Sequence, residues 1–191
     1  MDHMRAMAKV SEKKVYLSEN LKKLLSREEI DAVERDSDEL LELGFASVEL
    51  GDYEKAYNLF MTNMEVNGSS PDGVNGLAIS IAELGHMEKA LEIMIYAAQL
   101  YPNDAITIAN LAGIFWEVYD YEKSIYYFNQ SLKLNPELID THFNLINVYY
   151  ESGDIYMAYI ASCTAVKEFP DDEEAIQIRN DILLDMAISL H

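Results

Sequence analysis

Bases are scarce in this chain: 14 Lys and Arg stand against 34 Asp and Glu, a formal charge of −20 over 191 residues. That shortage excludes the wrapping of nucleic acid and adhesion to anionic membranes, because both depend on a cationic footprint. Cysteine is nearly absent. With Cys163 alone, no internal disulfide framework is available, and a reducing, cytoplasmic setting is the expectation. Long apolar runs are missing as well. The longest stretches free of Asp, Glu, Lys and Arg, Ala105–Trp116 and Ile155–Val166, have 12 residues each, short of the roughly 20 that cross a bilayer. The first twenty residues carry scattered charge and no apolar run, so no secretory leader is read there. What the chain does have is hydrophobic residues, 50% of the total, enough for one compact domain or one short array.

Motifs that carry chemistry are also lacking. His3, His86, His142 and His191 are scattered, and no HExxH or paired-Cys spacing exists, so no metal site is expected. No phosphate-binding loop, dinucleotide fingerprint or nucleophile elbow is present. The expectation is a protein without catalytic residues and without a cofactor. Cys163 lies among Ala161, Ser162 and Thr164 and reads as a buried structural thiol. Asn67-Gly68-Ser69 and Asn129-Gln130-Ser131 match glycosylation acceptors but read as silent without a leader.

A strict period organises the rest. Leu43, Leu77, Leu111 and Leu145 stand 34 residues apart, as do Pro102, Pro136 and Pro170. Gly51, Gly85 and Gly153 keep the same step, with Tyr119 in the remaining slot. Ala56, Ala90, Ser124 and Ala158 supply a small residue in every unit. Such self-similarity is the mark of a repeat array. Within a unit, Ile108, Leu111 and Phe115 follow helical spacing, Val118-Tyr119-Asp120 breaks it, and Ile125, Phe128 and Leu132 form a second helix ending before Asn135-Pro136. Glycine suits the left-handed end of the first helix, and proline stops the second. The small residue lets the two helices approach.

These residues resemble the tetratricopeptide repeat. The resemblance implies an all-α fold, a right-handed superhelix of helix-turn-helix repeats with a C-terminal capping helix. The units read as residues 37–70, 71–104, 105–138 and 139–172, behind an N-terminal helical arm over 1–36 and before a cap over 173–191. The first unit lacks the closing proline and carries Asn63 where a small residue is usual, so its exit reads as a looser joint. In the arm, Val10, Leu17, Leu21 and Leu24 form a stripe that is a candidate for self-association into a homodimer or for docking on the array. Ser26-Arg27-Glu28-Glu29 reads as a capping box. In the cap, Asp171-Asp172-Glu173-Glu174 complement a helix N-terminus, with Ile176, Leu183 and Ile188 as the inward stripe. Residues 1–36 hold 8 bases and 8 acids, whereas 37–191 hold 6 and 26. The array is therefore the anionic part.

By the same resemblance, the second, fifth, sixth, ninth, twelfth and thirteenth residues of each first helix face a concave groove. These columns hold Leu41, Phe45 and Val48, then Ile79, Ile106, Trp116, Phe143 and Tyr150. Asn75, Asn110, Asn144 and Asn147 lie between them, and Glu49, Glu83, Glu117 and Glu151 keep the 34-residue step. None of the columns contains Lys or Arg. Apolar and aromatic groups there can bury anchor side chains of a partner, the asparagines can pair with its backbone, and the glutamates can steer flanking Lys or Arg. Three alternatives stand beside this. The glutamates could be a solvated face or could pair with Lys55, Lys89 and Lys123. Phe143 and Tyr150 could pack against the cap. Trp116 could belong to the core.

Chaperone-adaptor members of the family hold a C-terminal carboxylate with Lys, Asn and Arg, and the corresponding places here are Leu41, Phe45, Gly76, Ile106 and Asn110. That cationic clamp is missing. The run from Leu43-Gly44-Phe45 through Gly51-Asp52-Tyr53-Glu54-Lys55-Ala56 and Gly76-Leu77-Ala78 is similar to the type III secretion chaperones that guard translocator proteins. The resemblance implies a scaffold or adaptor binding a protein or peptide segment, apolar with Lys or Arg flanks. A secretion or assembly chaperone for an aggregation-prone client and a self-associating spacer are the alternatives.

Overall fold

The computed structural model describes residues 19–33 and 39–188. All regular structure among them is helical: α1 Glu19–Leu24, α2 Arg27–Val33, α3 Glu39–Glu49, α4 Tyr53–Asn67, α5 Pro71–Glu83, α6 Met87–Leu100, α7 Ala105–Glu117, α8 Tyr121–Leu134, α9 Ile139–Glu151, α10 Ile155–Glu168 and α11 Glu173–Ile188. The starts of α5, α7, α9 and α11 are 34 residues apart, as are those of α4, α6, α8 and α10. The chain divides into two compact units, 1–90 and 91–191, with the boundary inside α6.

Capping explains this regularity. Asp52, Asp120 and Asp154 accept a hydrogen bond from the backbone N–H three residues on, at 3.3, 3.2 and 3.0 Å, and so start α4, α8 and α10. Ser70, Asp104 and Asp172 do the same for α5, α7 and α11. A side-chain oxygen there satisfies a donor that the helix itself leaves unpaired. At the turns, Gly51, Gly85 and Gly153 have φ of 74, 86 and 85°, and Tyr119 adopts 61° in the fourth slot. Ala56, Ala90, Ser124 and Ala158 are all fully buried.

In the first unit, α3 and α4 form a hairpin against which α5 packs. Phe60 of α4 is fully buried in a slot kept open by two glycines. A Cβ at Gly44 would lie 2.6 Å from its ring, and one at Gly76 only 2.2 Å. Helix α1 packs on α4 and α2 on α3, with Leu25 joining Leu40 and Leu59 in one apolar cluster. Ser26 and Glu29 form the expected reciprocal cap: Ser26 N–H donates to Glu29 Oε2 at 2.7 Å, and Glu29 N–H to Ser26 Oγ at 3.2 Å. This stretch closes the apolar end of the first hairpin. Of the expected stripe, Val10, Leu17 and the side chain of Leu21 lie outside the described residues, and Leu24 is exposed.

In the second unit, α7 pairs with α8, α9 packs on both, and α10 and α11 follow in order. One cluster joins Ala112, Phe128, Leu145 and Val148, and another joins Ile146, Ala158, Ala165, Ala175 and Ile182. The inward stripe of α11 differs from expectation. Leu183 and Ile188 are 48% and 64% exposed, while Ala175, Ile178, Ile182 and Met186 face the core. Cys163 is half-buried rather than buried, because the stripe of α10 that enters the core runs through Ala158, Ser162 and Ala165, one position round the helix.

Candidate functional site

The inward columns fall on two sets of first helices, one in each unit. In the first unit, Leu41, Phe45 and Val48 on α3 are half-buried, and Glu49 at its end is exposed. Phe45 meets Phe60 edge to face, ring centroids 5.0 Å apart, so its inner edge is anchored while the rest reaches the surface. On α5, Ile79 is half-buried and Glu83 exposed. Asn75 departs from the expectation of an accessible amide. It is 2% exposed, and neither amide atom has a partner among the described residues. Glu83 accepts the hydroxyl of Tyr53 from the start of α4, and this contact pushes the Tyr53 phenol above its ordinary range, because the carboxylate favours the protonated form.

In the second unit, Asn110 and Trp116 on α7 are half-buried and Glu117 is exposed. On α9, Phe143 and Asn144 are half-buried, and Asn147, Tyr150 and Glu151 are exposed. Trp116 packs one face on the Ala112–Phe128–Leu145–Val148 cluster, and its indole N–H donates to Glu151 Oε2 at 2.7 Å. Tyr150 repeats the relation one unit later, its hydroxyl donating to Asp185 Oδ2 on α11 at 2.6 Å. That bond also raises the Tyr150 phenol above its ordinary range. In each pair the twelfth residue of one first helix reaches the thirteenth of the next.

Phe143 packs against the cluster that includes Ala175 and Ile182 of the cap, and Tyr150, 43% exposed, is tied to the cap through its hydroxyl. Trp116 is neither core nor free but pinned at the boundary. Lys55 does not serve the glutamate column: its Nζ lies 2.6 Å from Glu29 Oε1. Lys123 pairs with Asp120. Glu83 and Glu151 are hydrogen-bonded to aromatic residues of the preceding repeat, whereas Glu49 and Glu117 are exposed and have no partner among the described residues.

Asp185 and Tyr53 are the residues that the sequence reading missed. The signal was present, since Asp185 continues the column of Glu49, Glu83, Glu117 and Glu151 by one more step of 34. Among the described residues no group of three or more His, Cys, Asp and Glu is placed to hold a metal ion. No described helix is long and apolar enough to cross a membrane. His142 is a packing residue, 4% exposed, with Nε2 2.9 Å from the Pro136 carbonyl and its ring edge-on to Phe169.

No protein-family model and no curated protein matches the chain. Solved structures do. The thermophilic tetratricopeptide-repeat protein TTC0263 of Thermus thermophilus is 21% identical, with 79% of this chain and 83% of that one covered and a TM-score of 0.67. PilF of Pseudomonas aeruginosa is 19% identical over 80% of this chain and 70% of its own, with a TM-score of 0.69. YrrB, described as a tetratricopeptide-repeat protein with an unusual peptide-binding site, is 18% identical over 80% of each chain, with a TM-score of 0.60.

Proposed function

We propose, for a chain with this tetratricopeptide-repeat fold, the role of a non-catalytic adaptor that binds a segment of a partner protein on the inward columns of its first helices. The observation that carries the reading is the pinning of Trp116 by Glu151 at 2.7 Å. A large aromatic ring is held half-exposed and pre-oriented beside carboxylates, which lowers the entropy lost when a partner side chain docks on it. Trp, Phe and Tyr in such a place are the residue types in which hot-spot energy concentrates. In this reading Leu41, Phe45, Val48 and Ile79 supply apolar contact in the first unit, and Trp116, Phe143 and Tyr150 in the second. Asn110, Asn144 and Asn147 offer paired donors and acceptors to a peptide backbone.

The free carboxylates Glu49 and Glu117 act at longer range. They draw Lys or Arg flanks of the partner towards the columns, an effect on association rate that salt weakens. The segment recognised is therefore apolar with basic flanks. The experiment is affinity capture of the partner, followed by association rates for the wild type and for Glu49→Lys with Glu117→Lys. Slower association at low salt, converging with the wild type at high salt, supports the reading. Rates unchanged by either charge or salt oppose it. Loss of the partner's solubility when this protein is removed would assign the chaperone form of the same role.

A further inference from the structure

The tripeptide Val-Asn-Gly occurs twice in the chain, as Val66-Asn67-Gly68 and as Val74-Asn75-Gly76. An asparagine side chain followed by glycine is open to attack by the next main-chain nitrogen, because glycine has no Cβ to block the approach. With the preceding residue also matched, the two copies have closely similar intrinsic chemistry. What differs is their surroundings.

Those surroundings are opposite. Asn67 is the last residue of α4, and Asn67, Gly68 and Ser69 are exposed. Gly68 lies past the helix with φ 83° and ψ −178°, and a Cβ built on it would meet nothing within 4 Å, so solvent reaches the main chain. The Gly68 N–H donates to the Met64 carbonyl at 3.0 Å. This bond closes the end of the helix, where fraying opens it at little cost. Asn75 and Gly76 instead lie in the second turn of α5, both buried. The Gly76 main chain runs under the Phe60 ring, which a Cβ there would meet at 2.2 Å. Attack swings the glycine nitrogen onto the asparagine Cγ and takes the asparagine out of helical φ and ψ. At Asn75 that breaks helix bonds on both sides and displaces packed core.

We propose that Asn67 is a site of spontaneous deamidation in the folded protein, and that the fold protects Asn75. The Gly68 main-chain nitrogen gives its proton to solvent hydroxide and attacks Asn67 Cγ. The Cγ–Nδ2 bond breaks, Nδ2 takes a proton from water and leaves as ammonia, and a cyclic imide remains. Water then opens the imide, and nothing is oxidised or reduced. Hydrolysis between the nitrogen and Cγ leaves aspartate. Hydrolysis between the nitrogen and the Asn67 main-chain carbonyl leaves isoaspartate, whose main chain is longer by one methylene. Both products put a carboxylate at the C-terminal pole of α4, where the helix dipole disfavours it, in the joint that leads to Ser70 and α5.

The test incubates the full chain at mildly alkaline pH, folded in buffer and unfolded in concentrated guanidinium chloride, and follows the mass gained when NH is replaced by O. One tryptic peptide, 56–89, holds both asparagines, and its fragment ions separate them against an unincubated control. In the folded protein Asn67 converts at least about tenfold faster than Asn75, the difference between end fraying and the opening of a packed helix. In denaturant the two rates converge. No conversion at Asn67 in the folded protein, equal rates at the two sites when folded, or a difference that survives in denaturant would overturn the proposal.

Discussion

Trp116 and Glu151 stand one repeat and one residue apart, and the indole N–H of the first donates to the carboxylate of the second at 2.7 Å across α7 and α9. Tyr150 and Asp185 stand in the same relation between α9 and α11. Trp116 and Tyr150 of the inward columns are thus fixed by acids one step of 34 further on. In the proposed reading, a partner meets these two rings already oriented rather than as free rotamers.

Glu151→Gln keeps the shape but weakens that fixation, and Glu151→Ala removes it. The alanine variant is expected to lose about 1 kcal/mol, the net worth of an accessible hydrogen bond, measured by urea denaturation. Trp116 is the single tryptophan, so tryptophan emission comes from this site alone. A spectrum unchanged in Glu151→Ala would mean that the bond is not populated in solution.

Gly76→Ala tests the slot around Phe60. Its Cβ would stand 2.2 Å from the Phe60 ring, which is fully buried and must move. Overpacking of this kind costs typically ~1–3 kcal/mol, read as a lowered melting temperature. Phe60→Leu in the same background should recover part of the loss.

Tyr119→Gly acts in the opposite direction. A φ of 61° costs a residue with a side chain about 1–2 kcal/mol relative to glycine, and glycine already fills the other three slots. The Tyr119 ring is 76% exposed and gives up only an edge contact with Tyr121. Stability should rise by about 0.5–1 kcal/mol after glycine's greater unfolded-state entropy is subtracted.

The Glu29–Lys55 contact makes the N-terminal end of the first hairpin acid-sensitive. Its hydrogen bond with Lys55, and those with Ser26, hold the Glu29 carboxyl below its ordinary range against a smaller opposing effect of burial. A carboxyl whose folded value is depressed stabilises fully above its unfolded value and loses that contribution as pH falls through the folded one. The contribution is therefore intact at neutral pH and fades below about pH 4.3, the ordinary glutamate value. Lys55→Met keeps the stem and removes the charge. The melting-temperature difference between wild type and Lys55→Met should be largest near pH 7 and shrink below pH 4; a difference constant across that range would contradict the assignment.

The period was legible because every hairpin meets the same constraints. A left-handed turn wants Gly51, Gly85 or Gly153, close helix approach wants Ala56, Ala90, Ser124 or Ala158, and these recur at one step. Among the described residues no repeat follows α11. Its buried side rests on small Ala175 with Ile178, Ile182 and Met186, and reading its largest residues turned the stripe towards Leu183 and Ile188. The glutamate column was visible, but its division into bonded Glu83 and Glu151 and free Glu49 and Glu117 was not. An acid at a given period looks the same in sequence whether a neighbouring ring or water satisfies it. Asn75 shows the reverse problem: an amide at an inward register is hidden by packing that only the fold supplies.

The most direct measurement is the equilibrium affinity of the captured partner for the wild type and for Trp116→Ala with Phe143→Ala, both checked for native helix content by circular dichroism. Anchoring on the inward columns predicts a loss of more than about 1 kcal/mol, at least fivefold in affinity. Wild-type affinity in a properly folded double variant would contradict it.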